Sequence, residues 1–232
     1  MSVFCSSDVE HTTEYPAASG LNSGIHLWTT VASKLGSSFK NNQKILSAEE
    51  LNRAESFFSE SLRLNYITAH AFLRNVLSYY IGVEPAEIVF KKDINKKPLI
   101  AYPPASVHFN LSHSGDAVAV AVSKYPVGVD IEHIKQNFNF NEIIRSYFSS
   151  KERKLITDSP ELPIQFFRLW TRKESLLKAT GEGISDALSQ IEVCDGENSA
   201  PFPEDFFVRS FEKNDLCISI ASPKKLRVIS IL

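Results

Sequence analysis

Two short stretches of the chain carry acidic side chains and a lysine in a pattern that suits phosphate chemistry. The first is GVDIE at residues 128–132, where two aliphatic residues alternate with Asp130 and Glu132. In a β-strand, successive side chains point to opposite faces, so we expect both carboxylates on one face and both aliphatic side chains in the core. This stretch therefore predicts two carboxylates directed at one spot.

The second stretch is WTRKESLLK at residues 170–178, in a segment whose apolar residues follow a helical spacing. Glu174 and Lys178 are four residues apart, which places them one turn apart on the same side of a helix. Carboxylate oxygens suit Mg²⁺, which takes further ligands from water and phosphates, and a lysine can balance phosphate charge. Together the stretches predict a divalent cation held against a pyrophosphate, although each alone also fits solvated acids or a surface ion pair.

The order and spacing of these motifs resemble 4′-phosphopantetheinyl transferases of the larger, surfactin-synthetase-activating type. In that family a G-[IV]-D-[IL]-E strand is followed about forty residues later by a W-[ST]-x-K-E-[AS]-x-x-K helix, and both motifs fit without a gap. FNLSHS at residues 109–114 is similar to the family's F-N-[IL]-S-H-S segment, and Lys97-Pro98 to its G-K-P turn. Four motifs in the family's order are a far more specific signal than one short pattern.

The resemblance implies an enzyme that transfers 4′-phosphopantetheine from coenzyme A to a serine hydroxyl of an apo acyl or peptidyl carrier protein, with Mg²⁺ and with release of 3′,5′-ADP. Asp130, Glu132 and Glu174 would bind Mg²⁺, and Lys178 would contact the pyrophosphate. Lys173 either has a structural role or reaches a phosphate. The other coenzyme A contacts that the resemblance implies are Arg53, Lys97, Ser112 and His113.

Two carboxylates compete for the role of general base on the serine proton. Glu174 belongs to the metal-binding motif, whereas Glu152 matches a family acid near the metal site. The sequence does not choose between them. It also departs from the family at Lys96, where relatives have glycine, and lysine adopts positive φ less readily than glycine does. The geometry of the turn before Lys97 is therefore open.

The sequence predicts an α+β fold in two similar halves, residues 25–125 and 126–232, after a flexible tail at residues 1–24. DAVAVAVS followed by VGVDI is echoed about a hundred residues later by DLCISIAS followed by RVISI, and a helical stretch precedes each block. The resemblance implies that the halves pack about a pseudo-twofold axis with coenzyme A in the cleft between them. We place the boundary near Tyr125 and Pro126, because proline cannot continue a central strand.

Mainly antiparallel sheets are predicted, because residues 117–122 and 127–131 are joined by a link too short for a crossover helix. Helix signals are a capping-box pattern at residues 47–50, a long periodic segment at 62–81 before Gly82, and periodic segments at 145–156 and 166–180, the last before Gly181 and Gly183.

A chain of 232 residues with 43% hydrophobic content can bury a substantial core. Its net charge of -2 argues against a broad nucleic-acid surface, which would be strongly basic. No segment reads as a signal peptide or a membrane span. Cys5, Cys194 and Cys217 are odd in number and widely spaced, as expected of reduced thiols in a cytoplasmic protein. Two fused halves suggest a monomer.

An acidic carrier protein would dock on an apolar patch rimmed by basic groups. The candidate surface comprises Phe138, Phe140, Ile143, Ile144, Tyr147 and Phe148, near Lys135 and Arg145. Helical spacing of aromatic residues also indicates burial in a core, so this alternative stays open. Two other functions fit the same motifs: a magnesium-dependent hydrolase of nucleotide pyrophosphates, and a non-catalytic sensor of coenzyme A or of a carrier protein.

Overall fold

The computed structural model describes residues 9–12, 21–22, 24–31, 39–181, 186–194 and 206–231. The chain divides into two units, one comprising Met1–Lys124 with Leu226–Leu232 and the other Tyr125–Lys225. Each unit combines helices with β-strands, and most strand pairings are antiparallel, so the predicted α+β class is confirmed. Cys5, Gly183 and most of the predicted tail lie outside the described residues.

The first unit contains a five-stranded sheet and a separate hairpin. The sheet strands are β1 (Val9–Thr12), β2 (Gly24–Val31), β5 (His108–Ser114), β6 (Ala117–Ser123) and β10 (Arg227–Ile231), and the hairpin strands are β3 (Val89–Lys92) and β4 (Pro98–Tyr102). The sheet order is β1-β10-β2-β6-β5. β6 pairs antiparallel with β2 and β5, whereas β10 runs parallel to β1 and β2.

Three α-helices are described in the first unit: α1 (Phe39–Lys44), α2 (Ala48–Glu55) and α3 (Glu60–Ile81). The predicted capping box begins α2, since Glu50 N donates to Ser47 Oγ at 3.2 Å and Ser47 N donates to Glu50 Oε2 at 2.8 Å. α3 ends at Gly82, whose φ of +72° is the left-handed conformation that glycine adopts without strain. The core of the unit includes Leu73, Val76 and Leu77 of α3 with Val120 and Val122 of β6.

The second unit has a three-stranded antiparallel sheet of order β7-β9-β8. Its strands are β7 (Gly128–His133), β8 (Phe207–Lys213) and β9 (Leu216–Ser222), and its helices are α4 (Asn141–Tyr147), α5 (Ser150–Thr157) and α6 (Leu162–Thr180). α6 ends at Gly181 with φ +84°, as the sequence predicted. An apolar cluster that includes Phe140, Phe148, Phe166 and Leu169 forms the core of this unit.

One predicted helix is wrong, because residues 145–156 form parts of two helices. Phe148 is extended, with φ -114° and ψ 143°, and Ser149 caps the start of α5. Glu152 N donates to Ser149 Oγ, and Ser149 N donates to Glu152 Oε2. The S-x-x-E pattern at residues 149–152 is therefore a capping box, and this signal was present in the sequence.

Strand connections also differ from the expectation. β6 and β7 are joined by a short link, yet β6 pairs with β2 and β5 while β7 pairs with β9. The last strand, β10, was assigned to the second half and instead pairs in the sheet of the first unit. Residues 9–12 of the predicted tail form β1 on the same sheet. Pairing between segments so distant in sequence leaves no local signature.

Within the described part of the chain, every helix is too short or too polar to span a bilayer. Cys194 and Cys217 carry free thiols, and Cys217 is fully buried. Burial raises the pKa of the Cys217 thiol to about 12, since a thiolate would lose its hydration there. Cys217 is therefore an inert core residue in this fold.

Candidate active site

β7 presents Asp130 and Glu132 on one face, as the alternating pattern predicted. Val129 and Ile131 are buried at 0% and 1% exposure on the opposite face. Asp130 is 3% exposed, and Glu132 is partly exposed. The two acids therefore stand side by side on the face of the sheet over which α6 packs.

Gly128 allows α6 to lie directly on the backbone of β7. A Cβ atom at this position would overlap Ser175 O and Ala179 N and lie 3.0 Å from Ala179 Cα. These are backbone atoms of α6, which cannot turn aside as the end of a flexible side chain can. The glycine therefore lets α6 bring Glu174 and Lys178 against the acidic face of β7. The sequence motif includes Gly128, but the sequence alone did not predict that this glycine lets α6 approach β7.

Lys178 is held by Asp130 at the exposed edge of this face. Its Nζ donates to Asp130 Oδ1 at 2.6 Å, with the lysine side chain 29% exposed and the aspartate side chain 5% exposed. A charge-assisted hydrogen bond of this length is strong. The ammonium group therefore keeps some accessible surface while it neutralises one buried carboxylate.

Glu174 lies in an environment that disfavours its charged form. Burial and the charges of Asp130 and Glu132 together raise the pKa of its carboxyl to about 7, against the lowering effect of Lys178. Glu174 Oε1 is buried and has no hydrogen-bond partner within the described ranges. A buried oxygen without a donor is costly, so this arrangement favours an additional positive charge beside Glu174.

The donor set fits a hard divalent cation, because Asp130 and Glu132 lie near enough to Glu174 to affect its pKa and all three offer oxygen ligands. Across the described stretches, however, no group of three or more His, Cys, Asp or Glu side chains is already arranged to hold a metal ion. The predicted three-ligand site is thus not preformed, and Mg²⁺ binding by Asp130, Glu132 and Glu174 stays a prediction.

Lys173 is bound inside the second unit. Its Nζ lies 2.9 Å from Glu152 Oε2, and neither side chain has any exposed surface. The ammonium group also donates to Leu188 O at 2.9 Å and to Ile191 O. Of the two alternatives for Lys173, these contacts favour the structural role over contact with a phosphate.

Glu152 is surrounded by donors. Oε2 accepts from Ser149 N at 2.9 Å and faces the Lys173 ammonium, while Oε1 accepts from Val193 N at 3.0 Å. Both oxygens of this carboxylate are occupied by donors, and its side chain has no exposed surface. Glu152 therefore caps the start of α5 and serves as the counter-ion of the buried Lys173.

His113 and Ser112 lie on β5, which extends beyond the predicted strand end at residue 111 to Ser114. His113 is exposed and Ser112 is 5% exposed. Because adjacent strand residues point to opposite faces, the two side chains do not face one spot. The histidine is thus part of the strand and not of the turn that follows it.

Lys97 follows the turn of the β3–β4 hairpin. Its backbone N donates to Asp93 Oδ1 at 2.8 Å, and burial lowers the pKa of its side chain against the opposing charge of Asp93. Lys96 has a φ of +65°, so the turn keeps the left-handed conformation that the family's glycine would adopt. Lys96 therefore adopts this turn conformation although it replaces the glycine of the family motif.

Arg53 is exposed in the last turn of α2. Its guanidinium carbon lies 5.2 Å from the centroid of the Phe57 ring, and Nη1 donates to Ser56 Oγ at 3.4 Å. The structure places Arg53, Lys97, Ser112 and His113 in the first unit, and the acidic cluster with Lys178 in the second.

Half of the apolar residues of the candidate carrier surface belong to the core. Phe140, Ile144 and Phe148 are 8%, 7% and 0% exposed, which supports the burial alternative. Phe138 is 39% exposed, and Lys135 Nζ lies 6.0 Å from the centroid of its ring. Phe138 with this lysine, and the exposed Arg145, are parts of the predicted surface that a partner could reach.

Comparisons with known proteins match both parts of the chain to one class of enzyme. The family model described as 4′-phosphopantetheinyl transferase, N-terminal, matches residues 28–125, and the model of the 4′-phosphopantetheinyl transferase superfamily matches residues 126–223. Both descriptions are of transferases. The two matched segments are consecutive, and they meet one residue after the division between Lys124 and Tyr125 that separates the two units.

Individual relatives of the chain are also 4′-phosphopantetheinyl transferases. The 4′-phosphopantetheinyl transferase HetI of Nostoc sp. is 32% identical over 178 residues, 75% of this chain and 75% of that protein. The transferase Sfp of Bacillus subtilis is 30% identical over 72% of this chain and 77% of its own, and psf-1 of Bacillus pumilus is 38% identical over 53% and 52%. The chain belongs to the 4′-phosphopantetheinyl transferase family, and it is an enzyme of the Sfp type.

Proposed function

We propose that the protein transfers 4′-phosphopantetheine from coenzyme A to a serine hydroxyl of an apo carrier protein of fatty-acid, polyketide or nonribosomal-peptide synthesis. The serine oxygen forms a bond to the β-phosphorus of the pyrophosphate. The bond from that phosphorus to the bridging oxygen breaks, and 3′,5′-ADP leaves with the electron pair. The serine proton passes to a carboxylate of the enzyme. The reaction needs positioning and charge neutralisation more than a protein nucleophile.

The observation that carries the proposal is the cluster of Glu174, Asp130, Glu132 and Lys178. The partly exposed Lys178 pairs with Asp130 where α6 packs on β7, and burial with the charges of Asp130 and Glu132 raises the pKa of Glu174 to about 7. Strong shifts of this kind are typical of functional sites. Asp130, Glu132 and Glu174 would hold Mg²⁺, which when bound supplies positive charge to the pyrophosphate oxygens.

Lys178 complements these acids as a point charge for the pyrophosphate. Its ammonium is anchored by Asp130 while part of the side chain remains accessible, so it can contact a phosphate without leaving its partner. This contact would stabilise negative charge on the leaving 3′,5′-ADP as the bond breaks. Lys178 is therefore the catalytic lysine of the proposal.

Glu174 is the general base that we favour over Glu152. Glu174 Oε1 has no donor among the described residues, so this oxygen is open to accept the serine proton. Glu152 accepts from two backbone N–H groups and faces Lys173, so both of its oxygens are already occupied by donors inside the protein. Glu152 is therefore assigned to positioning α5 and α6.

The first unit would supply contacts to the rest of coenzyme A. His113 is exposed, so we propose it as a phosphate contact, with Ser112 less accessible on the other face. Lys97 would reach the nucleotide end and the exposed Arg53 the 3′-phosphate. Phe138 with Lys135 would contact the carrier protein. The free thiols suit a reducing compartment, and we propose a cytoplasmic monomer.

Mass spectrometry of a panel of apo-carriers after incubation with the protein, coenzyme A and Mg²⁺ tests the function. We expect one carrier class or more to gain the mass of a phosphopantetheine group. Asp130→Ala should abolish the gain, whereas Asp158→Ala, which removes an exposed acid outside the cluster, should not. Release of free phosphopantetheine with an unmodified carrier would favour the hydrolase, and binding without turnover would favour the sensor.

A further inference from the structure

A chain of hydroxyl groups lies between α6 and the sheet of the second unit, and none of the roles above uses it. Thr171 Oγ1 is 2.7 Å from Ser219 Oγ, and Ser219 Oγ is 2.8 Å from Ser210 Oγ. Thr171 and Ser219 have 0% exposure. We call Thr171, Ser219 and Ser210 the hydroxyl chain. It joins one helix residue to one residue on each of β9 and β8.

Hydrogen bonding gives this chain a direction. Arg172 carries only donors, and its Nε donates to Ser210 Oγ at 2.7 Å. Ser210 can then donate to Ser219, and Ser219 to Thr171. Thr171 Oγ1 donates to Arg168 O at 3.3 Å. Every hydroxyl in the chain thus both accepts and donates, and the path starts and finishes on α6.

The hydroxyl chain connects the two elements that carry the acidic cluster. Ser219 stands directly opposite Asp130 in the pairing of β7 with β9. Thr171 precedes Glu174 by three residues and Lys178 by seven, so all three lie along one stripe of α6. Apolar contacts would tolerate a small slide of the helix on the sheet. Buried hydroxyls do not, because a slide would leave donors without acceptors.

We propose that Thr171 and Ser219 are positioning residues that hold α6 in one register and rotation on β9. In that register Lys178 donates to Asp130, and Glu174 lies one turn before Lys178 on the same side of α6. The inference rests on the proposed function, since the consequence that it predicts is measured at the cation site. Residues that orient the metal-binding side chains without binding the metal themselves commonly control metal affinity.

Mn²⁺ binding to the full-length protein without coenzyme A tests the inference, measured by titration calorimetry with thermal unfolding recorded in parallel. Thr171→Val keeps the shape of the side chain and removes the hydroxyl, and we expect Mn²⁺ affinity to fall about tenfold well below the unfolding temperature. Thr171→Ser keeps the hydroxyl and should retain wild-type affinity. Rescue by serine separates loss of the hydroxyl from a general loss of packing.

Ser175→Ala is the matched control. Ser175 is also 0% exposed, but its hydroxyl donates to Arg172 O within α6 and bridges no second element. Removing it should leave Mn²⁺ affinity unchanged. Loss of affinity in Ser175→Ala equal to that in Thr171→Val would show that any buried hydroxyl has this effect and would overturn the inference.

Ser219→Ala repeats the test from the strand side, in case Thr171→Val does not fold. The same affinity loss of about tenfold is expected. Affinity within about twofold of wild type in either folded variant would overturn the positioning role. Wild-type protein that neither binds Mn²⁺ nor modifies any carrier would instead overturn the proposed function, so the two failures are distinguishable.

Discussion

Glu152 and Lys173 form an ion pair in which neither side chain has any exposed surface. Glu152 also closes the capping box of α5, and Lys173 donates to two carbonyl oxygens of the segment that follows α6. The ion pair therefore connects the start of α5, the middle of α6 and the segment that follows α6. Removing one member would leave the other charged and buried, which is among the most destabilising changes a protein can undergo.

Glu50 and Arg74 repeat this arrangement in the first unit. Glu50 closes the capping box of α2, and Arg74 Nε donates to it at 2.9 Å. Arg74 also donates to Pro85 O and Ile88 O, beyond the end of α3. Gly82 follows Arg74 by eight residues, just as Gly181 follows Lys173 by eight. The two units thus share a buried ion pair, which supports the predicted duplication.

This correspondence also identifies what differs between the units. Counting from the buried cations, the first-unit equivalents of Glu174 and Lys178 are Asn75 and Tyr79. Neither of these residues can contribute a carboxylate or an ammonium group. The acid and lysine that suit a metal-pyrophosphate site therefore belong to the second unit alone.

Glu152→Gln is expected to lower the free energy of unfolding by about 3 kcal/mol, because the amide leaves Lys173 without its counter-charge. Urea unfolding measures the loss. Glu142→Gln, at an exposed position in the first turn of α4, should change stability by less than about 0.5 kcal/mol. Under conditions where the variant is folded, we expect turnover to persist. A folded but inactive Glu152→Gln would restore Glu152 as the candidate base.

Cation binding is expected to strengthen as pH rises towards about 7 and to release a proton. The folded, cation-free protein keeps Glu174 protonated up to a pKa of about 7, above its ordinary value of 4.5. Stability of the cation-free protein therefore falls as pH rises between these two values, and a bound cation reverses this effect. Calorimetry in buffers of different ionisation enthalpy measures the proton release. Glu174→Gln should release none, and wild-type affinity that does not change with pH would contradict the prediction.

Gly128→Ala is expected to destabilise the second unit by about 3 kcal/mol or more, because the new methyl group would overlap the backbone of α6. Gly82→Ala is the matched control. Gly82 has φ +72°, but a methyl group added there would have no neighbouring atom within 4 Å, so alanine should cost about 1 kcal/mol of backbone strain. Chemical denaturation of both variants measures the difference. Equal losses would show that α6 can move away from β7.

His26 is expected to make stability depend on pH below neutrality. It is 0% exposed, its Nδ1 lies 2.7 Å from Tyr80 Oη, and burial lowers its pKa from 6.5 to about 4. Since the unfolded chain binds a proton near pH 6.5 and the folded protein does not, stability falls as pH drops through this window. The full loss is about 3 kcal/mol.

The His26 contribution is measured by comparing wild type with His26→Gln in urea at several pH values. The comparison is needed because Glu174 acts in the opposite direction over part of the same range. The difference in stability between the two proteins should shrink as pH falls from about 6.5 to 4. A difference that stays constant across this range would contradict the prediction.

Local patterns in the sequence predicted much of the fold and the main elements of the candidate site. The alternation in GVDIE placed Asp130 and Glu132 on one face of a strand, and a four-residue spacing placed Glu174 and Lys178 on one side of a helix. The capping box at Ser47 and the glycine stop at Gly82 were also predicted. These features depend on residues within one or two turns of each other, so neighbouring residues determine them.

Tertiary structure alone decided the rest. Lys173 and Glu174 are adjacent in sequence, yet one is buried against Glu152 and the other joins the acidic cluster. The overlap that excludes a side chain at Gly128, and the contact of Thr171 with Ser219, involve partners more than forty residues away. Burial, ion pairing and register arise from such distant partners. The sequence shows which residue types are present for these contacts, but it does not show which distant residues come close together in space.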